Sequence, residues 1–108
     1  MPIAATFAAL SDPTRIAVID LLSKEPCRAG ELAASLDTTP AAMSRHLRVL
    51  RRSGLIAEEG IAEDARVRIY RLKQEPFAQL SGWLAEVEEF WGGQLTSFQK
   101  HVSGRRKK

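Results

Sequence analysis

Residues 38–54 contain sequence signals for both the start and the end of one helix. The other elements of the chain are placed relative to this helix. Thr39 suits a capping hydroxyl, Pro40 suits the first helical position, and Gly54 suits the left-handed residue that follows a helix. Apolar side chains recur at the spacing of one narrow stripe: Met43, Leu47 and Leu50. The pattern predicts an amphipathic helix over 39–52.

The polar side of this helix is small near its start and basic towards its end. Opposite the apolar stripe lie Ala41, Arg45, Arg48 and Arg52, flanked by Ala42, Ser44 and Val49. No acidic residue occurs from Thr38 to Ala57. Small side chains permit close approach of a backbone, and arginine offers forked donors to phosphates or guanine edges. The pattern is typical of a helix that enters the DNA major groove, although a solvated basic face has the same composition.

Three shorter helices are predicted before this segment. Residues 3–10 form a short apolar helix, Asp12-Pro13 begins a second one that ends near Lys24, and a third covers about 29–36. The predicted buried stripe of the second helix is Ile16, Ile19 and Leu22. Two short helices joined by a tight link, the second with an exposed basic face, follow the helix-turn-helix plan.

After Gly54 the apolar period changes from helical to alternating. Residues 55–58 and 66–72 are typical of two strands around an acidic tip at 60–65. A hairpin directly after a recognition helix is the wing of a winged helix, and we expect Arg66 and Arg68 to contact phosphate. The alternative is a solvated hairpin, because arginines also protect exposed sheet edges.

A last long helix, introduced by Pro76, is predicted over 77–102. Its apolar residues follow a three-to-four spacing for about seven turns, which is a wider stripe than packing on a small domain requires. We therefore predict a dimer interface that combines this helix with the first one: Ile3, Phe7, Leu80, Trp83, Leu84, Val87, Phe90, Trp91, Leu95 and Phe98. Residues 1–102 are predicted to form one DNA-binding and dimerisation domain, and residues 103–108 a disordered basic tail.

Amino-acid composition narrows the classes of function that this chain can have. The net charge of +3 depends on four basic residues at 105–108, and residues 1–104 carry 12 basic against 13 acidic side chains, so nucleic-acid binding must depend on local patches. The single cysteine excludes an internal disulfide, and no apolar run reaches the ~18 residues of a membrane span. No nucleophile–base pair, phosphate-binding loop or carboxylate cluster points to an enzyme or to a cofactor.

Several motifs follow one another over nearly the whole chain. They are Ala-Leu-Ser-Asp-Pro-Thr-Arg (9–15), Gly-Glu-Leu-Ala (30–33), the run from Met43 to Ile56, and Tyr-Arg-Leu (70–72). Together they resemble the ArsR family of bacterial winged-helix repressors, and Trp-Leu-(x)5-Phe-Trp (83–91) is similar to the last helix of its autorepressor-like, metal-independent branch. The resemblance implies a homodimer whose terminal helices form the interface and whose recognition helices read a palindromic operator. Since a single cysteine fits a reducing cytosol, we expect a cytoplasmic protein that is nucleoid-associated when bound to DNA.

The metal-binding motifs of that family are missing. Its metal sensors carry Cys-x-Cys before the third helix, whereas Cys27 here is followed by Arg28-Ala29-Gly30. A second family site needs Asp-x-His and a later histidine on the last helix, of which only His101 is present. Since zinc takes about four close ligands, we expect no metal; an inducer, if any, would be an unidentified small molecule. We expect His46 to pack or to contact phosphate.

The residues predicted to contact DNA lie on the 39–52 helix and the wing: Thr39, Ala41, Ala42, Ser44, Arg45, His46, Arg48, Arg51, Arg52, Arg66 and Arg68. The predicted fold is mostly α with a small β-hairpin, in the order α-α-α-α-β-β-α. Its predicted partners are double-stranded DNA and a second copy of the chain. The alternative is a winged-helix protein-interaction module whose arginines bind an acidic partner, which the acid-free 38–57 segment disfavours.

Overall fold

A computed structural model describes residues 3–106, and for Ala65 and residues 92–106 it describes the backbone alone. The elements in chain order are α1 (Ile3–Ala9), α2 (Pro13–Leu22), β1 (Cys27–Arg28), α3 (Ala29–Ser35), α4 (Pro40–Arg52), β2 (Ile56–Ile61), β3 (Asp64–Leu72) and α5 (Gln74–Arg106). This order confirms the predicted winged helix-turn-helix. Two compact units make up the chain, Met1–Phe77 and Ala78–Lys108. The assignment of residues 1–102 to one functional domain stays a prediction.

Helix α4 begins and ends where the sequence predicts. The Thr39 hydroxyl accepts a hydrogen bond from the Ala42 N–H at 3.1 Å, and Pro40 fills the first turn. At the other end Gly54 has φ 77°. The Gly54 N–H donates to the Arg51 carbonyl at 2.9 Å and the Leu55 N–H to the Leu50 carbonyl at 3.0 Å. These two bonds are the paired closure of a helix that ends on a left-handed glycine.

The sheet has the order β1-β3-β2 with both pairs antiparallel. Strands β2 and β3 extend farther than predicted, because Ile61 pairs with Asp64 and only residues 62–63 form the loop. The third strand was not predicted. Cys27 pairs with Tyr70 and Arg28 with Ile69, and two residues are too few for a strand period to show in the sequence.

The core lies between α2, α3, α4 and the base of the sheet. Its buried apolar residues are Ala9, Val18, Leu22, Leu32, Ala33, Met43, Leu47, Leu50, Leu55, Ile56 and Tyr70. The whole predicted stripe of α4 is buried, and each such side chain contributes about 1.5–3 kcal/mol. The predicted stripe of α2 was partly wrong. Val18 is fully buried and Ile16 is 47% exposed, because positions two apart lie on nearly opposite sides of a helix.

Helix α5 begins three residues earlier than predicted and extends four residues farther, to Arg106. It therefore overlaps most of the basic segment that was predicted as a tail, whereas Lys107 and Lys108 lie outside the described residues. Pro76 lies within its first turn, where a missing N–H costs no helical hydrogen bond. The rings of Phe90 and Trp91 meet edge to face, with centroids 5.0 Å apart. Among the described residues, no helix combines the length and the apolar character needed to cross a membrane.

Candidate nucleic-acid interface

The outward face of α4 carries unpaired positive charge. Ala41, Ser44, Arg45, Arg48 and Arg52 are exposed, as predicted. Across residues 3–64 and 66–91, no carboxylate forms an ion pair with the three arginines of this face. Guanidinium groups that lack internal partners are free to donate to phosphate oxygens or to base edges.

The start of α4 adds a weaker attraction for anions. Its first turn contains no acidic residue, so the partial positive charge of the helix start is not balanced by a neighbouring carboxylate. The Thr39 oxygen accepts the capping bond from Ala42, which leaves the hydroxyl hydrogen available as a donor. A negative group placed at this end would meet both features.

Arg51, predicted to contact DNA, has a partner within the protein. Its guanidinium lies 3.1 Å from a carboxylate oxygen of Glu58 on β2, and the Tyr70 hydroxyl donates to the other oxygen of Glu58 at 2.8 Å. Burial, followed by the hydrogen bond to Glu58, raises the pKa of Tyr70. The three groups join the last turn of α4 to both wing strands, so Arg51 has a structural role whether or not it also reaches a phosphate.

His46 lies at the junction of α4 with the start of α2. Its Nδ1 is 3.3 Å from a guanidinium nitrogen of Arg15 and 3.9 Å from a carboxylate oxygen of Asp12. Arg15 also donates through Nε to the Ala9 carbonyl at 2.6 Å. Because a guanidinium only donates, Nδ1 is the acceptor in its contact with Arg15. His46 thus contacts the start of α2, and its contact with phosphate stays a prediction.

Arg15 was not singled out as a functional residue from the sequence. It connects the end of α1, the start of α2 and the second turn of α4. Hydrogen bonds from backbone N–H groups, chiefly that of Arg15, lower the pKa of Asp12. The available signal was a long cationic side chain three residues after a capping aspartate, but nothing in the sequence indicates that it reaches α4.

The wing arginines are exposed to solvent. The Arg66 side chain is 91% exposed and its Nε lies 3.4 Å from a carboxylate oxygen of Asp64. Arg68 is also exposed. Arg71, in contrast, is held by Glu59 at 2.6 Å. The two arginines predicted to contact phosphate are therefore the more available pair on this strand.

The predicted dimer-interface residues leave apolar surface uncovered in a single chain. Phe7, Trp83, Leu84, Phe90 and Trp91 are exposed, with 77% of Phe90 accessible. The half-exposed members are Ile3, Leu80 and Val87. Leu95 and Phe98 belong to the segment whose side chains are not described. Four of the exposed side chains, Trp83, Leu84, Phe90 and Trp91, lie on α5, and exposed large apolar side chains on one helix are characteristic of an association surface.

Metal ligands are not gathered in the part of the chain that the structure describes. No group of three or more histidine, cysteine, aspartate or glutamate residues there could hold an ion. Cys27 is a half-buried free thiol, and burial raises its pKa, which keeps it protonated and disfavours metal binding. The side chain of His101 is outside the described residues, and metal independence stays a prediction.

Comparison with known proteins gives a consistent result. Residues 10–59 match the helix-turn-helix domain family. The HTH-type transcriptional regulator Rv2034 of Mycobacterium tuberculosis is 32% identical over 94 residues, which cover 87% of this chain and 82% of that protein. The crystal structure of an ArsR family transcriptional regulator is 37% identical with a TM-score of 0.74, covering 82% of this chain and 94% of its own. An ArsR-like transcriptional regulator from Rhodococcus sp. RHA1 is 26% identical with a TM-score of 0.73, and the match covers 91% of this chain and 90% of that chain.

Proposed function

This chain belongs to the ArsR-type family of winged helix-turn-helix, DNA-binding transcriptional regulators, and we propose that it is a homodimeric repressor that binds a palindromic operator through α4. The relatives compared above are regulators rather than enzymes. We place the protein in the cytoplasm, associated with the nucleoid when bound to DNA.

The observation that carries this proposal is the exposed face of α4. Small side chains at Ala41 and Ser44 lie near the start of the helix, which is the part that enters the major groove in helix-turn-helix proteins. Arg45 follows on the same exposed face without a carboxylate partner among the described residues. Its planar fork matches the O6 and N7 acceptors of guanine. We assign sequence readout to this part of α4 and backbone contact to Arg66 and Arg68.

The apolar face of α5 supports the homodimer. Trp83, Leu84 and Trp91 are each more than one third exposed in the single chain, and burial of such side chains against a second copy is worth about 1.5–3 kcal/mol each. A two-fold dimer presents two recognition helices to one side of the duplex. Half-site centres should then lie ~10–10.5 base pairs apart, or a multiple of that distance.

We further propose that no transition metal controls the protein. Cys27 is the single cysteine of the chain, and its thiol contacts the Glu25 carbonyl at 3.4 Å rather than a second thiol. Any inducer would therefore be a small molecule other than a metal ion.

The decisive experiment compares Arg45→Ala with Arg66→Ala on operator and scrambled duplexes over a range of salt. Loss of Arg45 should cost ~1–3 kcal/mol on the operator and relax the base preference at one position in each half-site. Loss of Arg66 should weaken both duplexes equally and reduce the salt slope by about one unit per subunit. Lys24→Ala removes an exposed cation outside α4 and the wing, and serves as the charge control. Equal loss on both duplexes for Arg45→Ala, with base preference unchanged, would refute the assignment of readout to this face.

A further inference from the structure

Gly60 lies opposite Arg68 in the wing, and the end of the Arg68 side chain lies over it. The two residues are register partners in β2 and β3. Among the described atoms, a Cβ added to Gly60 would meet the Arg68 Nη1 at 3.3 Å and its Cζ at 4.0 Å. The Arg68 guanidinium therefore occupies the space that a side chain at position 60 would take.

The backbone at Gly60 does not itself require glycine. Gly54 has a positive φ, whereas Gly60 does not. The strand pairing is irregular between Gly60 and Ile61, but the type of β-bulge that depends on glycine places it in the left-handed region. Glycine inside a strand also weakens the strand, because it has no side chain to pack. What glycine supplies here is the space above β2.

The pair Gly60–Arg68 lies on the face of the wing that is joined to α4. The register partners Glu58 and Tyr70 lie two residues along each strand, and residues two apart in a strand share a face at a spacing of about 7 Å. Glu58 binds Arg51 in the last turn of α4 at 3.1 Å. Arg68 therefore lies beside a pair of residues that is fixed to the recognition helix.

The charge of Arg68 is available to an external anion. Its side chain is exposed, and no carboxylate among the described side chains forms an ion pair with it. The other arginines of β3 differ in this respect, since Arg66 approaches Asp64 at 3.4 Å and Arg71 binds Glu59 at 2.6 Å. The contact that limits where the Arg68 guanidinium lies is thus the one with the backbone of β2.

We propose that Gly60 is a positioning residue for Arg68, and that it sets the guanidinium at the height from which it donates to a backbone phosphate of DNA; the inference rests on the DNA-binding role proposed above. A methyl group at position 60 would displace the guanidinium by a few tenths of an ångström, and a larger side chain would displace it farther. Charge-assisted hydrogen bonds to phosphate are short, at about 2.7–2.9 Å, so this displacement weakens the contact. A phosphate contact carries no base information, and the loss should not depend on DNA sequence.

The first experiment measures Gly60→Ala and Gly60→Val on operator and scrambled duplexes over a range of salt. Gly60→Val should weaken binding to both duplexes by the same factor, no larger than the factor for Arg68→Gln, and lower the salt slope by up to about one unit per subunit. Gly60→Ala should have the same effect to a smaller degree. Neither urea midpoint should fall, because strands favour residues other than glycine and the added atoms meet the flexible end of an exposed side chain. Gly30→Ala is the control, since a Cβ there meets nothing within 4 Å.

The second experiment combines Gly60→Val with Arg68→Gln and, as a matched background, with Arg66→Gln. If Gly60 acts through Arg68, valine should have no further effect on DNA binding in the Arg68→Gln background and its full effect in the Arg66→Gln background. An equal loss in both backgrounds, or no loss in the wild type, would overturn the proposal. If valine lowers the urea midpoint, Gly60→Ala provides the same comparison.

Failure of the inference can be distinguished from failure of the proposed function. Arg68→Gln that binds both duplexes as the wild type does would overturn the phosphate contact of Arg68, and the role of Gly60 with it. Arg45→Ala on the same duplexes then shows independently whether readout by α4 holds. A loss for Arg68→Gln without a loss for Gly60→Val would overturn the role of Gly60 alone.

Discussion

Gly54→Ala should destabilise the protein through the turn that joins the recognition helix to the wing. Gly54 has φ 77°, and a Cβ in the left-handed region costs about 1–2 kcal/mol. Reduced freedom of the unfolded chain offsets about 0.4–1 kcal/mol of this cost. The expected net loss is about 1 kcal/mol. A local opening of the turn would not relieve this strain, because it would break the hydrogen bond from Leu55 to Leu50 and both of these side chains are fully buried.

Urea unfolding followed by circular dichroism measures the loss, at one fixed chain concentration because a dimer's stability depends on it. Gly30→Ala is the matched control. A Cβ at Gly30 meets nothing within 4 Å, and helical backbone there favours alanine by up to about 0.5–1 kcal/mol. Gly54→Asn should fall between wild type and Gly54→Ala, since asparagine tolerates the left-handed region. Unchanged stability of Gly54→Ala, or equal losses for alanine and asparagine, would refute the reasoning.

Three further outcomes are expected. Tyr70 is the single tyrosine, so tyrosinate absorbance reports on it alone. Its pKa is raised in the folded protein. The contribution of Tyr70 to the free energy of unfolding is therefore complete below about pH 10 and is lost as the pH rises through the pKa of Tyr70 in the folded state. Glu58→Gln should lower that pKa and Arg51→Gln should raise it further; titration of the wild type at or below the ordinary value would contradict the buried hydrogen bond. Trp91→Asp should give monomers or insoluble protein in sedimentation while Glu89→Gln stays dimeric, and a monomeric wild type at tens of micromolar would exclude the proposed interface. Zinc or cadmium should leave the DNA complex intact, whereas stoichiometric release at micromolar metal would show a site that the described residues do not form.

Local rules account for what could be predicted about α4. A capping hydroxyl at Thr39, a proline at the first position and a glycine after the last turn act within a few residues of one another. Their effect is therefore visible in the sequence, and all three occupy the predicted places. The buried stripe followed for the same reason, since one period of 3.6 residues selects Met43, Leu47 and Leu50. The outward position of Arg45 and Arg48 is the complement of that stripe.

The turn between α3 and α4 could not be predicted from neighbouring residues in the sequence. Asp37 adopts φ 53° and ends α3 with the closure that a glycine would ordinarily provide. The Thr38 N–H donates to the Ala33 carbonyl at 3.0 Å. No glycine marks this turn in the sequence. Aspartate adopts the left-handed region more readily than most residues other than glycine, but its presence at position 37 does not by itself mark a turn in the sequence.

Sequence alone determined the caps, the apolar periods and the basic face of α4, because each depends on residues within a turn or two of one another. Tertiary structure decided which side chains meet across long separations. The pairing of residues 27–28 with 69–70 adds a third strand to the sheet, and the contact of Arg15 with His46 joins α2 to α4. It also selected Val18 over Ile16 for the core. These choices depend on how whole elements pack, since burial and long-range hydrogen bonding are properties of the assembled fold rather than of any one segment.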